Sequence, residues 1–321
     1  MCGSSHSARN RGEFQADVVS NERLCPEHYL LRLRAAEFPP TLAGQFVQLQ
    51  CRRLGEQDPA REVPWPAAGP PRLTQAELAG REPFLRRPFS LAGRRDTPAG
   101  VELDLIYRTV GTGTHWLAEV VRPGQRLSVL GPLGNGFAVR ADKPRAALIG
   151  GGVGIPPMIY LAETLARAGK QSVAFHGART AALLPVAVAG DAVSPAGRPT
   201  PCVEPFARAD VPSVVATDDG SLGFAGMVSR AFESWLDAER LDPSSLAVYS
   251  CGPEPMMRAV AELCLTRGID CQLCMERHMA CGMGTCQSCV VKIRDDTPQG
   301  WSFKLCCTDG PVFEAGRIVW A

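Results

Sequence analysis

No run of about 18 apolar residues occurs anywhere in this sequence, so nothing in it reads as a bilayer-spanning helix. The opening stretch MCGSSHSARNRG lacks the apolar core of a secretory signal, which places the chain in the cytoplasm. An excess of one charge is missing as well. The 34 basic residues meet 33 acidic ones with no long run of either, which excludes the strongly basic face that nucleic acid or an anionic membrane would attract. There is no internal repeat. Paired catalytic carboxylates are lacking, and no nucleophile has a base in reach by spacing, so an independent site for an organic substrate is not encoded.

What the chain has is cysteine. Thirteen are spread over 321 residues, and eight of them fall between Cys264 and Cys307. In a small secreted protein that density would suggest disulfides, but in a cytoplasmic chain of this length it points to metal or redox chemistry. A hydrophobic content of 45% is ample for two or three buried cores.

Texture divides the sequence. Residues 1–18, polar and rich in Gly and Ser, read as a disordered tail. From 19 to 141, short alternating segments such as YLLRLRA, GQFVQLQC, VELDLIYRTV and QRLSVLGPLG lie between Pro/Gly turns, as in an antiparallel barrel or sandwich. Prolines and charges at 52–82 break that rhythm and read as a surface insertion. Strands alternate with helices over 142–268, the pattern of an α/β domain, interrupted by a Pro/Ala-rich loop at 183–201. The final segment, 269–321, is too short to bury a large core and needs a metal centre as a staple.

Two stretches in the first region suit a diphosphate. In RRPFSLAG, Arg87 lies on a strand, although an Arg-Pro-aromatic-Ser strand is also compatible with a plain barrel edge. In LIYRTVGTGTHWL, Gly111 and Gly113 permit close backbone approach and Thr114 is placed to cap a helix whose N-terminal N–H groups attract phosphate. In the second region LIGGGVGIPPM forms a strand-to-helix turn in which Gly151, Gly152 and Gly154 bring backbone near a nucleotide. It is not a dinucleotide fingerprint, because Ile155 stands at the third glycine position and no acidic residue follows at ribose distance. TDDGSLGFAG and SCGPEPMM likewise follow strands at the carboxyl edge of the sheet. Cys251 in the latter could sit beside a reacting ring or be an inert buried thiol, whereas Cys264 completes an apolar helical stripe.

The third region carries the most specific motif. Cys281, Cys286 and Cys289 form C-x4-C-x2-C, and Cys306 and Cys307 follow at a distance, as in plant-type [2Fe–2S] proteins. Zinc is the competitor, since Cys271 with Cys274 and Cys286 with Cys289 make two C-x2-C pairs, but it would leave Cys281 and the later pair idle.

In this order the motifs resemble the ferredoxin reductase superfamily. MERHMACGMGTCQSCVVKI followed by CTDGPVF is similar to the electron-transfer subunits of two-subunit, NAD-linked dihydroorotate dehydrogenases. The resemblance covers roughly residues 20–320. It implies three parts: an antiparallel FAD-binding β-barrel, an α/β NAD-binding domain and a small C-terminal [2Fe–2S] domain. By resemblance Arg87, Pro88, Phe89 and Ser90 line the flavin, Ile106, Tyr107 and Arg108 flank it, and Gly113 with Thr114 holds phosphate. The ligand before T-D-G-P is Cys307, completing a set with Cys281, Cys286 and Cys289. The implied partner is an FMN-containing catalytic subunit, in a heterotetramer of two of each, that oxidises dihydroorotate and sends electrons through the cluster and FAD to NAD+. A subunit of another complex of the same build, such as a hydrogenase or a ferredoxin-linked transhydrogenase, would keep every motif, and a zinc-bearing interaction module is the non-enzymatic alternative.

Overall fold

The computed structural model describes residues 11–52, 69, 83 and 85–320. Almost all of the insertion at 52–82, and the first ten residues of the tail, therefore lie outside the described residues. The first unit comprises β1 (Gly12–Cys25), β2 (His28–Ala35), β3 (Phe46–Leu49), β4 (Arg87–Ser90), β5 (Gly93–Thr97), β6 (Gly100–Arg108), α1 (Thr112–Val120) and β7 (Arg126–Leu133). The strands form one antiparallel sheet in the order β4-β3-β7-β1-β2-β6-β5.

Alternation explains the curl of this sheet. Leu31, Leu33, Leu103 and Leu105 turn inward and are buried. Their outward neighbours are matched in charge across the ladder: Arg32 faces Asp104 at 2.9 Å and Arg34 faces Glu102 at 2.6 Å. The two edge strands are separated in sequence only by Leu91 and Ala92. Leu91 N–H donates to the Gln45 carbonyl beside β3, and Ala92 N–H to the Asp104 carbonyl on β6, so the edges are drawn together into a half-barrel.

The expected tail through residue 18 is corrected here, since β1 begins at Gly12 and pairs with β7 over Gly12–Asp17. Ala16 and Val18 face the core at 1% and 2% exposure, while Glu13 and Asp17 on the opposite face hold Arg86 and Arg126. The alternation is diluted by polar outward residues, which is why composition alone suggests disorder.

The second unit comprises β8 (Arg145–Gly151), α2 (Ile155–Arg167), β9 (Gln171–Ala178), α3 (Glu204–Ala207), β10 (Ser213–Thr217), β11 (Phe224–Ala225), α4 (Val228–Glu239), β12 (Leu246–Cys251), α5 (Glu254–Thr266) and β13 (Asp270–Cys274). Near-continuous apolar strands, buried on both faces, form a parallel sheet in the order β11-β10-β9-β8-β12-β13. Pro156 and Pro157 open α2, where missing N–H groups cost nothing, and Gly169 follows it at φ +69°.

The C-terminal segment does not start at 269. Asp270–Cys274 belongs to the parallel sheet, and β16 (Val312–Glu314) returns to pair antiparallel with β13. Between them lie the thiol-bearing loop and a two-stranded sheet of β14 (Val290–Arg294) and β15 (Trp301–Leu305). Cysteine density had masked a strand pattern whose side chains are core. Among the described residues, no helix is long and apolar enough to cross a membrane.

Candidate functional site

The arginine on β4 meets the start of α1. A Cβ on Gly113 would stand 3.0 Å from Arg87 Cγ, 3.3 Å from its Nε and 3.4 Å from the Cys51 thiol, so the glycine is what lets the helix N-terminus approach the guanidinium. Arg87 is steadied by donating from Nη1 to the Leu85 carbonyl at 2.7 Å. The N–H groups of Thr112, Gly113 and Thr114 precede the helix's own hydrogen-bond ladder, and with Arg87 they form a site of positive potential suited to a diphosphate.

Thr114 is not the cap itself. Gly111 caps α1, and Thr114, three residues later, reaches back: its hydroxyl accepts from Val110 N–H at 2.9 Å and Gly111 N–H at 3.2 Å. Its backbone N–H, rather than its hydroxyl, is the group available to phosphate. Phe89 is buried edge-on against Tyr107, with ring centroids 5.9 Å apart. The residues expected to flank a flavin have different surroundings. Tyr107 is buried, stacks on Tyr29 and donates its hydroxyl to Asn21 at 3.1 Å, and burial pushes its pKa up. Arg108 is taken by Glu27 at 2.7 Å, which holds that carboxyl below the usual carboxylate range. Ile106 is buried near the C-terminal end of β6, and Pro88 and Ser90 are partly exposed on β4.

The order of parallel strands reverses between β8 and β12, and ligands bind open α/β sheets at such reversals, beyond the carboxyl ends of the strands. The turns Gly150–Gly154 and Cys251–Pro253 meet there. A Cβ on Gly154 would lie 2.1 Å from the Cys251 carbonyl oxygen, and one on Gly151 would lie 2.6 Å from Met256 Sδ. Gly152, at φ +54°, has open space around it. Two of these glycines therefore let the turns cross, and the third presents bare backbone. Cys251 itself is 1% exposed and hydrogen-bonded to Cys274, its partner across the ladder, and both that bond and burial push its pKa well up. It is a buried, neutral thiol.

The thiol loop is built around donated N–H groups. Cys281 Sγ accepts from Met283 N–H at 3.4 Å and Cys286 N–H at 3.3 Å. Gly282 and Gly284 hold φ +68° and +89°, which small residues allow. Cys286 is exposed, and the Ser288 hydroxyl, 3.2 Å away, and nearby backbone N–H groups lower its pKa to about 6. Cys307 is pushed up to about 12, by burial first and by the Cys289 thiol bonded to it, with the Gly284 N–H pulling the other way. Its neighbour Cys306 is fully buried and pushed up to about 12 chiefly by burial, and its N–H donates to the Cys289 carbonyl.

Among the described residues, no three His, Cys, Asp or Glu side chains gather at one point. The thiols stand instead as two linked pairs, Cys281 with Cys286 and Cys289 with Cys307, an arrangement that two irons bridged by sulfides can span. The zinc pairing fails on geometry. Cys271 and Cys274 are three apart on a strand and point to opposite faces, Cys271 to Cys264 on α5 and Cys274 to Cys251 and the Gly44 carbonyl.

The thiol loop is held to the half-barrel at Gln48, and the Asp309–Val312 turn is held by Asn135 just after β7. Gln48 on β3 donates from Nε2 to the Ala280 carbonyl at 3.4 Å, and Asn135 accepts from Val312 N–H while donating to the Val312 and Asp309 carbonyls. Gln48 is also the ladder partner of Pro88. The thiol loop therefore stands one strand from the Arg-Pro-Phe-Ser strand.

Residues 276–319 match the family described as the iron–sulfur cluster binding domain of dihydroorotate dehydrogenase B. Over 310 residues, covering 96% of this chain and 99% of the relative, the chain is 38% identical to a dihydroorotate dehydrogenase B (NAD(+)) electron transfer subunit of Geobacillus thermodenitrificans. It is 30% identical to the subunit of the same name from Desulforamulus reducens over 96% and 98% of the two chains. The chain belongs to the family of dihydroorotate dehydrogenase B electron transfer subunits. In fold, this electron transfer subunit is similar to a NADH-dependent reduced ferredoxin-NADP oxidoreductase, with a TM-score of 0.68 over 100% of this chain and 92% of the other at 23% identity. It is also similar to the ferredoxin reductase of carbazole 1,9a-dioxygenase, with a TM-score of 0.58 over 82% and 68% at 22% identity.

Two residues of the electron transfer subunit that join its parts escape sequence reading. Gln48 has a signal, a polar residue inside the apolar run FVQL. Asn135 in a Gly-rich turn has none, because its partners are more than 170 positions away.

Proposed function

We propose that this chain carries electrons within an NAD-dependent dihydroorotate dehydrogenase, between a catalytic partner subunit and NAD+. FAD supplies two-electron exchange with a nicotinamide and one-electron exchange with an iron–sulfur centre, which is why both belong in one chain. The observation that carries this reading is the docking of the loop that bears Cys281, Cys286 and Cys289 on Gln48, directly across the ladder from Pro88.

Each of the chain's residues has a task in this reading. Arg87 and the first-turn N–H groups of α1 hold the FAD diphosphate, and Gly113 keeps the space between them open. Pro88, Phe89, Ser90 and the backbone of Ile106, Tyr107 and Arg108 wall the flavin. Gly151, Gly152 and Gly154 admit the nicotinamide nucleotide at the strand reversal, and Cys251 lines its ring site as a neutral thiol. Cys281, Cys286, Cys289 and Cys307 ligate a [2Fe–2S] cluster, while the N–H groups of Met283 and Cys286 spread charge from sulfur. The partner is an FMN-containing dihydroorotate-oxidising subunit, joined as two of each.

The test is reconstitution. The purified chain with a dihydroorotate-oxidising subunit should form NADH and orotate in equal amounts, and neither subunit alone should do so. If the mixture formed orotate but no NADH, the assignment would fail.

A further inference from the structure

Gln48 is a polar side chain with 0% exposure on a barrel strand. Its neighbours Phe46, Val47 and Leu49 are apolar and buried, so packing alone would favour another hydrophobe. Its Nε2 reaches the Ala280 carbonyl, 232 residues away, and its Oε1 has no protein partner. The contact is close. A Cβ on Gly282 would lie 2.6 Å from Gln48 Cδ, 2.7 Å from Nε2 and 2.8 Å from Oε1, so the amide lies flat on the backbone between Cys281 and Met283. On its other side Gln48 is paired in register with Pro88.

We infer that Gln48 is a positioning residue of the relay, clamping the Ala280–Gly282 segment to β3, the ladder neighbour of the strand that bears Pro88, and so fixing the cluster loop relative to the flavin site. The inference rests on the proposed relay. A buried amide is the group that can do this: it spans the gap, donates to a carbonyl the loop would otherwise leave unpaired, and lies flat against a glycine. The unpartnered Oε1 requires an N–H or O–H donor.

The test uses the loaded two-subunit complex. In Gln48→Met, flavin bleaching by NADH should keep the wild-type rate, while the reduced-cluster EPR signal grows about two- to tenfold more slowly, the weight of one neutral hydrogen bond. Amide hydrogens of residues 278–288 should exchange faster by a similar factor. Gly282→Ala, whose methyl would displace the amide at a backbone φ of +68°, should reproduce both effects, and adding Gln48→Met to it should not relieve them, because the clamp is already lost. A wild-type rate of cluster reduction in Gln48→Met would overturn the inference, as would equal slowing of the flavin and cluster steps, which marks a packing residue. If wild-type complex showed no NADH bleaching, the relay reading would fall. Exchange at 278–288 would still decide the clamp, and unchanged protection there would end it.

Discussion

Arg87 Cγ stands 3.0 Å from the point a Cβ on Gly113 would occupy, so one strand's arginine and one helix's first turn share a site only because position 113 has no side chain. Gly113→Ala should weaken FAD binding by roughly five- to 150-fold, the range of a 1–3 kcal/mol overpacking cost. Arg87→Ala should lose a similar amount through the charged hydrogen bond. Flavin fluorescence titration of the apoprotein reads both, and wild-type affinity in either variant would contradict the diphosphate site.

The two neighbouring cysteines near the C-terminus separate cleanly. Cys286→Ser and Cys307→Ser should each abolish the visible and EPR signals of the cluster and spare most flavin absorption. Cys306→Ser should retain the cluster, since its link to Cys289 runs through the backbone whereas the Cys307 thiol meets the Cys289 thiol. A cluster that survives Cys307→Ser and is lost in Cys306→Ser would exchange the two assignments.

Glycines at the strand reversal should differ sharply in tolerance. Gly154→Ala places a methyl against the Cys251 carbonyl and should give little folded protein. Gly152→Ala has room, and its cost is the left-handed backbone alone, about 1 kcal/mol. Thermal melts of the two variants side by side test this, and equal melting temperatures would contradict it.

His176 predicts an acid limit. It is fully buried between β9 and β10, bonded through Nε2 to Ser213 Oγ at 3.1 Å and packed on Phe206, and burial lowers its pKa to about 3. A lowered pKa means that the unfolded chain binds the proton first. Stability is therefore full above about pH 6.5 and falls as pH drops from there toward 3, by up to about 1.4 kcal/mol per pH unit. Denaturant melts between pH 7 and 5 should show that slope, and His176→Gln should flatten it.

The Asn135 side chain makes three hydrogen bonds to the Asp309–Val312 turn, and its backbone N–H adds a fourth to the Gly310 carbonyl. Asn135→Ala should cost about 1–3 kcal/mol and speed iron loss to a chelator. Unchanged iron retention would mean that backbone bonds, from Asn135 N–H to Gly310 and along the β13–β16 ladder, suffice to hold the turn.

Local patterns are legible in this sequence because their physics is local. Alternation with matched outward charges marks β2 and β6, prolines and a glycine bracket α2, and C-x4-C-x2-C names a cluster before any fold is known. The sequence misleads where side-chain identity and backbone role diverge. Asp270–Cys274 looks like part of a metal domain and is a core strand, and Gly12–Val18 looks like tail and is barrel.

By itself the sequence determined the three kinds of chemistry the chain can host, because each rests on residue types at short, fixed spacing. Only the tertiary structure decided how they are joined. The pairing of Cys289 with Cys307, the crossing of Gly154 over Cys251, and the meeting of Gln48 with Ala280 each bring together residues far apart in the chain, and packing, unlike spacing, has no signature in a single strand of letters.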